Sequence, residues 1–343
     1  MMPMKFSPTS TLRHYWLALV ITVLVFIGVL INAGPVALWS VFILAIIEIT
    51  FSFDNAVLNS EVLARMSKVW RTVFLTVGIA IAVFGVRLLM PLLLVAATTG
   101  TGMSHVLDLA LHDPDAYAER VHEGYPIIAA FGGIFLLMIG LRFLAEERDV
   151  KWIHWVEHSI SRHNRPWLIP IGGALLATLA IAVASHGKKA VIISALVGIV
   201  VFAAVKGLSV LLESGQANHQ ATTRSNLVNF LYLELLDASF SFDGVVAAFA
   251  ITKDVLLITA GLGIGALYVR SITVHLLESN TLAQYRYLVH GAHYAIASLG
   301  VLMLVTMYVE LPEWLTGLIG IVIIALSINS SVRHSRQLKN ATA

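Results

Sequence analysis

Cysteine is absent from the sequence, which excludes disulfides, thiol nucleophiles and thiolate metal sites, and removes the preferred ligand of thiophilic ions. Charge is scarce as well. Only 12% of the 343 residues are charged, about half the roughly 25% of an average soluble chain, which argues against a water-facing surface over most of the molecule. The formal net charge of +2 points to no nucleic-acid partner. No phosphate-binding glycine loop is found, because Gly261, Gly263 and Gly265 lie inside an apolar stretch and suit close helix packing. What the chain does have is 58% hydrophobic residues, arranged in runs long enough to cross a bilayer.

At about 20 residues per crossing, the runs place helices near residues 14–32, 36–58, 71–96, 125–146, 167–185, 188–213, 225–251, 254–278, 288–309 and 312–332. The expectation is an all-α, polytopic membrane protein with ten transmembrane helices in one transport domain spanning residues 1–343. The first run, from Tyr15 to about Ile31, is too long for a cleaved signal and reads as a retained helix. Basic residues near short loops tend to stay cytoplasmic. An inside N-terminus places there Lys5 and Arg13; Arg65, Lys68 and Arg71; Arg142, Arg148, Lys151, Arg162 and Arg165; Arg224; Arg286; and Arg333, Arg336 and Lys339. The other side then holds Arg120, Lys188, Lys189 and Lys253 only, together with an acidic loop from Thr98 to Gly124. Both termini are therefore expected in the cytoplasm of a bacterial cell, with the protein in the inner membrane. Trp152, Trp155, Trp167 and Trp314 fit interfacial anchors, and His275, His290 and His293 fit packing positions.

The chain repeats itself. Ser52–Asp54 recurs as Ser241–Asp243; Gly78, Val86 and Arg87 recur as Gly261, Val269 and Arg270; Ile128, Ala129 and Gly132 recur as Ile296, Ala297 and Gly300; Trp167, Leu168 and Gly173 recur as Trp314, Leu315 and Gly320. The repeats run from about residue 14 to 185 and from 188 to 332. The two motifs lie five crossings apart, so the repeats must face opposite ways across the bilayer: two inverted five-helix units, an arrangement common in secondary transporters, which hold substrate near the midplane.

Five carboxylates fall inside these spans: Glu48 and Asp54 in the first motif, and Glu234, Asp237 and Asp243 in the second. Each costs on the order of 2.5–3.5 kcal/mol to insert unpaired, so each needs a partner or a cavity. On a regular helix Glu48, Ser52 and Asn55 share a face and Asp54 points elsewhere; Glu234, Asp237 and Ser241 share a face and Asp243 points elsewhere. Either the helices are enclosed by protein on both sides, or they unwind near the Ser-Phe-Asp step so that the carboxylates converge. Gly244 makes a break easier in the second motif than Asn55 does in the first. Carboxylates, amide and hydroxyls together form a hard-ligand set suited to manganese, magnesium or calcium. With Arg87, Lys206 and Arg270 as the buried cations, two negative charges remain, which one divalent ion would neutralise. Arg87 and Arg270 read as partners of the motif carboxylates.

Over Glu48–Asn55 and Glu234–Gly244 the sequence resembles the TerC-type integral membrane family of the lysine-exporter superfamily. The resemblance implies metal-ion transport, with manganese efflux the best assignment, and points to Glu48, Asp54, Asn55, Asp237 and Asp243 as metal ligands. Glu234 joins that set from its place on the motif face, with Ser52, Ser241, Arg87 and Arg270 in support. Asp237 stands where Glu48 does and Gly244 where Asn55 does, so the halves need not contribute equally. The expected function is export of a divalent cation, which is the substrate and not a permanent cofactor, coupled to protons, by a protein that is not an enzyme. The rivals are an exporter of amino acids or other small organic cations on the same fold, a nontransporting membrane scaffold or sensor, and an intramembrane aspartyl protease, whose Gly-x-Gly-Asp signature is missing because Ala266 follows Gly265.

Overall fold

A computed structural model describes residues 8–161, 166–214, 223–279, 281–309 and 311–342. It is 88% helical, and with no strand among the described residues the all-α class holds. Lys5, Arg162 and Arg165 lie outside the described residues, as do the side chains of Arg13, Trp314 and Lys339. In chain order come α1 (Pro8–Phe51), α2 (Phe53–Ala64), α3 (Lys68–Val73), α4 (Met90–Thr99), α5 (Met103–His112), α6 (Pro114–Ala145), α7 (His154–Ser161) and α8 (Leu168–Ala184). Then follow α9 (Lys189–Ser214), α10 (Thr223–Ala248), α11 (Val255–Glu278), α12 (Thr281–Gln284), α13 (Leu288–Thr306) and α14 (Glu313–Thr342). Between α3 and α4 the chain forms two π-helical stretches, Phe74–Gly78 and Ile81–Leu89, so that Lys68–Thr99 is one apolar rod.

Seven of these helices, not ten, are long and apolar enough to cross a membrane, and three physical features account for the difference. The first continuous apolar run, Tyr15–Phe51, is bent at Gly34, whose φ of 82° and ψ of −178° no helix contains, and Pro35 follows; two helices meet there. The helix Leu168–Ala184 is apolar but shorter than the rest. The third is α10, whose middle carries Glu234, Asp237 and Asp243 and whose residues are mostly buried against protein. A helix wrapped by other helices has no need of a lipid-facing apolar surface, so hydropathy passes it over. Elsewhere the outer surface is apolar: Ile31, Trp39, Leu176 and Val183 are all more than 60% exposed, which suits lipid and not water.

The acidic segment from Thr98 to Gly124 is not the loop that was expected. It folds as α5 and the first turns of α6, which start well before residue 125. Asp113 caps α6 by accepting a hydrogen bond from the Ala116 amide at 3.2 Å, and α5 buries Val106 and Ala110 while its one acid, Asp108, faces outward.

The centre of the bundle is the crossing of α6 and α13. Gly133 and Gly300 lie face to face: a Cβ on Gly300 would stand 2.8 Å from the Gly133 carbonyl oxygen. Gly261 and Gly265 play the same part where α11 lies along α1, with added Cβ atoms 3.0 Å from the Val41 oxygen and 3.1 Å from the Ala45 oxygen. Several segments expected on the cytoplasmic side meet at one end. Glu61, Arg148, Arg286 and His290 line one cavity of about 630 Å³, and Arg286 lies 3.4 Å from His334. Two segments expected on the other side also meet, through the ion pair of Lys253 with Asp115. His290 and His293 pack as expected, against Phe143, with His293 stacked on it at 3.8 Å between ring centroids.

Candidate ion-binding site

The two motif helices cross antiparallel. Asn55 Nδ2 donates to Asp237 Oδ1 at 2.6 Å, while a Cβ on Gly244 would lie 3.3 Å from Glu48 Oε2. Position 48 thus meets 244 and position 55 meets 237, a reciprocal pattern that only opposed chain directions produce. Asn55 and Gly244 occupy the same offset from their respective acids, so the second half lacks the amide that steadies Asp237 in the first.

Each arginine is taken up by the acid at the head of its own motif. Arg87 Nη2 lies 2.5 Å from Glu48 Oε1 and Nη1 donates to the Ala82 carbonyl at 2.8 Å; Ser52 Oγ donates to the same Glu48 oxygen at 3.1 Å. Arg270 Nη2 lies 2.9 Å from Asp237 Oδ2 and 3.6 Å from Glu234 Oε1. Its two amino groups also donate to main-chain carbonyls of the π-helical rod, Nη1 to Phe74 at 2.5 Å and Nη2 to Gly78 at 3.0 Å, and the guanidinium sits 3.9 Å over the Phe74 ring. Drawing carbonyls out of the helical ladder is a recognised cause of local irregularity, and it accounts for the π geometry beginning at Phe74. Gly78 is required here: an added Cβ would lie 2.6 Å from Arg270 Nη1 and closer still to Glu234 Oε1.

The other two aspartates face away from this crossing. Asp54 is 5% exposed; its Oδ1 accepts from the Asn55 amide at 2.8 Å, and its Oδ2 would be 3.7 Å from a Cβ on Gly320 of α14. Asp243 accepts a hydrogen bond from the Tyr125 hydroxyl at 2.9 Å, and that hydroxyl also lies 3.0 Å from Thr306 Oγ1. Neither aspartate has a cationic partner among the described residues. The motif helices are therefore enclosed by protein on both faces, the first of the two arrangements the sequence allowed. The backbone departs from helical geometry at Ser52, with φ −96° and ψ 19°, although the bonds Ser52 N to Glu48 O and Ala56 N to Ser52 O persist at 3.0 and 3.1 Å. In the second motif α10 runs through without a break, and Ser241 is buried on it. The irregularity is thus mild and lies in the half with Asn55, not the half with Gly244.

A family profile matches residues 53–338, across both motifs except for the first residues of the Glu48 segment. This chain belongs to the DUF475 family, described as proteins of unknown function. No curated protein and no solved structure matches it.

In this DUF475 protein the candidate ligands do not gather at one point, and no group of three or more His, Asp or Glu side chains among the described residues is placed to hold a metal ion. Glu48 sits with Arg87; Glu234, Asp237 and Asn55 sit with Arg270; Asp54 and Asp243 each stand apart. Lys206 does not belong to the set, since its ammonium lies 5.6 Å from the Tyr232 ring and lines a small pocket with Arg65 and Asn229. Five carboxylates against two guanidinium groups leave three negative charges where the sequence suggested two. Tyr125 and Asn59 escaped the sequence reading. Tyr125 begins the apolar part of its helix, and its partner Asp243 lies 118 residues away. Asn59, fully buried, stands one turn beyond Asn55, and that polar periodicity was its available signal.

Proposed function

We propose that this DUF475 protein is a secondary transporter of a divalent metal cation, with manganese the leading candidate and calcium or magnesium next, moved against a counter-flowing cation. The observation that carries the reading is the antiparallel crossing of two buried motif helices whose leading acids are each held by an arginine from the same half, while Asp54 and Asp243 have no cationic partner among the described residues. Buried carboxylates without cations are the expensive kind, and they occupy matched positions in the two halves. A hard divalent ion offsets the charge of each as it reaches it.

Ten crossings in two inverted five-helix repeats suit this reading. The helix pairings recur between halves: α6 packs on α8 as α13 packs on α14, and α2 packs on α13 as α10 packs on α6. Gathering Glu61, Arg148 and Arg286 at one end, and Lys253 with Asp115 elsewhere, supports cytoplasmic termini in a bacterial inner membrane. The TerC-type resemblance of the motifs points the same way.

The test is flux in proteoliposomes under imposed ion gradients, with manganese, calcium, magnesium and zinc compared for wild type and Asp54→Asn. Wild-type protein should move manganese and the variant should not. Absence of flux for every cation would sink the transporter reading, and equal flux in the variant would sink the role of Asp54.

A further inference from the structure

The crossing of α2 and α10 holds more unsatisfied polarity than the Arg270 pairing explains. Asn59 is 0% exposed, and among the described residues neither its Oδ1 nor its Nδ2 has a hydrogen-bond partner. The same holds for Asn55 Oδ1 and for both carboxylate oxygens of Glu234, residues 3% and 9% exposed. These groups share one layer. Asn55 reaches Asp237, Asp237 and Glu234 face the same guanidinium, and Asn59 lies one turn from Asn55 on the same face. The next turn of α2 is Leu63, which packs with Phe74, Phe230 and Leu233 and closes the layer with an apolar floor. A buried amide with neither donor nor acceptor used is costly, and several such groups in one layer call for a ligand that satisfies them.

Charge selects what that is. Two carboxylates face one guanidinium, so the layer carries one negative charge when all are ionised. A divalent ion would leave it positive. A proton on Glu234 would neutralise it but would leave the oxygens of Asn55 and Asn59 unused, since amide oxygens do not take protons at ordinary pH. A hard monovalent cation satisfies both requirements, the charge and the neutral oxygens. We infer that Asn55 Oδ1, Asn59 Oδ1 and Glu234 bind a sodium-sized monovalent cation, separate from the positions of Asp54 and Asp243. Its role as the counter-flowing ion, in place of the expected proton, rests on the transport reading; the binding itself does not.

Purified full-length protein is titrated with sodium chloride at fixed pH, with choline chloride holding ionic strength constant, and its thermal unfolding is followed by tryptophan fluorescence. A ligand that binds only the folded state raises stability in a saturable way. Sodium should raise the unfolding temperature to a plateau, choline should not, and Asn59→Ala and Glu234→Gln should each shift the sodium midpoint at least tenfold. Asn59→Ser serves where the alanine variant does not fold, and the wild-type titration depends on neither. Equal unfolding temperatures in sodium and choline, a response that follows pH and not sodium, or a sodium midpoint unmoved in both variants would overturn the site. Divalent flux without any sodium response sinks this inference and spares the transport reading; a sodium response without divalent flux does the reverse.

Discussion

The Arg87–Glu48 pair offers the sharpest energetic test. Both side chains are nearly sealed from solvent, at 3% and 6% exposed, with 2.5 Å between Nη2 and Oε1. In Arg87→Ala the carboxylate of Glu48 keeps Ser52 Oγ at 3.1 Å and loses its charge partner. Removing one member of a buried pair costs about 3–5 kcal/mol, because an uncompensated charge stays behind, whereas replacing both members with well-packed apolar groups is often neutral or better. Arg87→Ala and Glu48→Ala should therefore each destabilise by about 3–5 kcal/mol, while the double variant Arg87→Leu/Glu48→Met should lie within about 1 kcal/mol of wild type. The assay is equilibrium unfolding in mixed micelles for wild type, both singles and the double. Single variants costing less than about 1 kcal/mol, or a double variant that costs the sum of the singles, would refute the argument. The double also answers a question that neither single can. A stable double that no longer transports would show that the pair serves the mechanism; a stable double that still transports would make it structural.

Three further outcomes are expected. Gly78→Ala should destabilise by about 1–3 kcal/mol, the range for overpacking, because its Cβ must displace both Arg270 and Glu234; unfolding midpoints check it, and an unchanged midpoint would mean that the crossing is looser than drawn. Tyr125→Phe removes the hydroxyl that serves Asp243 and Thr306; it should lower manganese flux severalfold while costing about 1 kcal/mol of stability, and full flux would remove Tyr125 from the pathway. Because the chain has no cysteine, Arg286→Cys and Lys253→Cys give clean single-thiol proteins. Impermeant maleimide should label the first from the cytoplasmic face and the second from the opposite face, and labelling of both from one side would break the alternation of crossings.

The helical class was legible from apolar runs, and so were the faces of the motif helices, because both follow from local periodicity. Ser52 bonding Glu48 and Asn55 turned toward the partner helix are the arrangement that a spacing of four and seven residues dictates. What sequence could not supply is long-range. Tyr125 and Asp243 are 118 residues apart, and nothing along the chain links them. Arg270 reads as a partner for carboxylates, yet it binds the carbonyls of Phe74 and Gly78 as well, 196 and 192 residues away along the chain. The acidic segment reads as a loop from its charge and folds as helix for a different reason. Its acids line the outer face of α5 and the start of α6 while Val106, Ala110 and Tyr117 are buried, so the period of burial, not the share of charge, set its structure.

The sequence presents five membrane carboxylates as one group, and the fold divides them by who neutralises them. Glu48 and Asp237 stand at the same place in each motif and each holds the arginine of its own half. That leaves Glu234 beside an occupied guanidinium and Asp54 and Asp243 with none. In the proposed transport cycle, five carboxylates acting together on one ion would require the arginines to release Glu48 and Asp237 at every turn, at the several kcal/mol that unpaired buried charges cost. A cycle in which both pairs stay closed avoids that barrier. It asks the cargo ion to deal only with Asp54 and Asp243, and it turns the Arg87 and Arg270 pairs into fixed pins that hold the antiparallel crossing while other helices move.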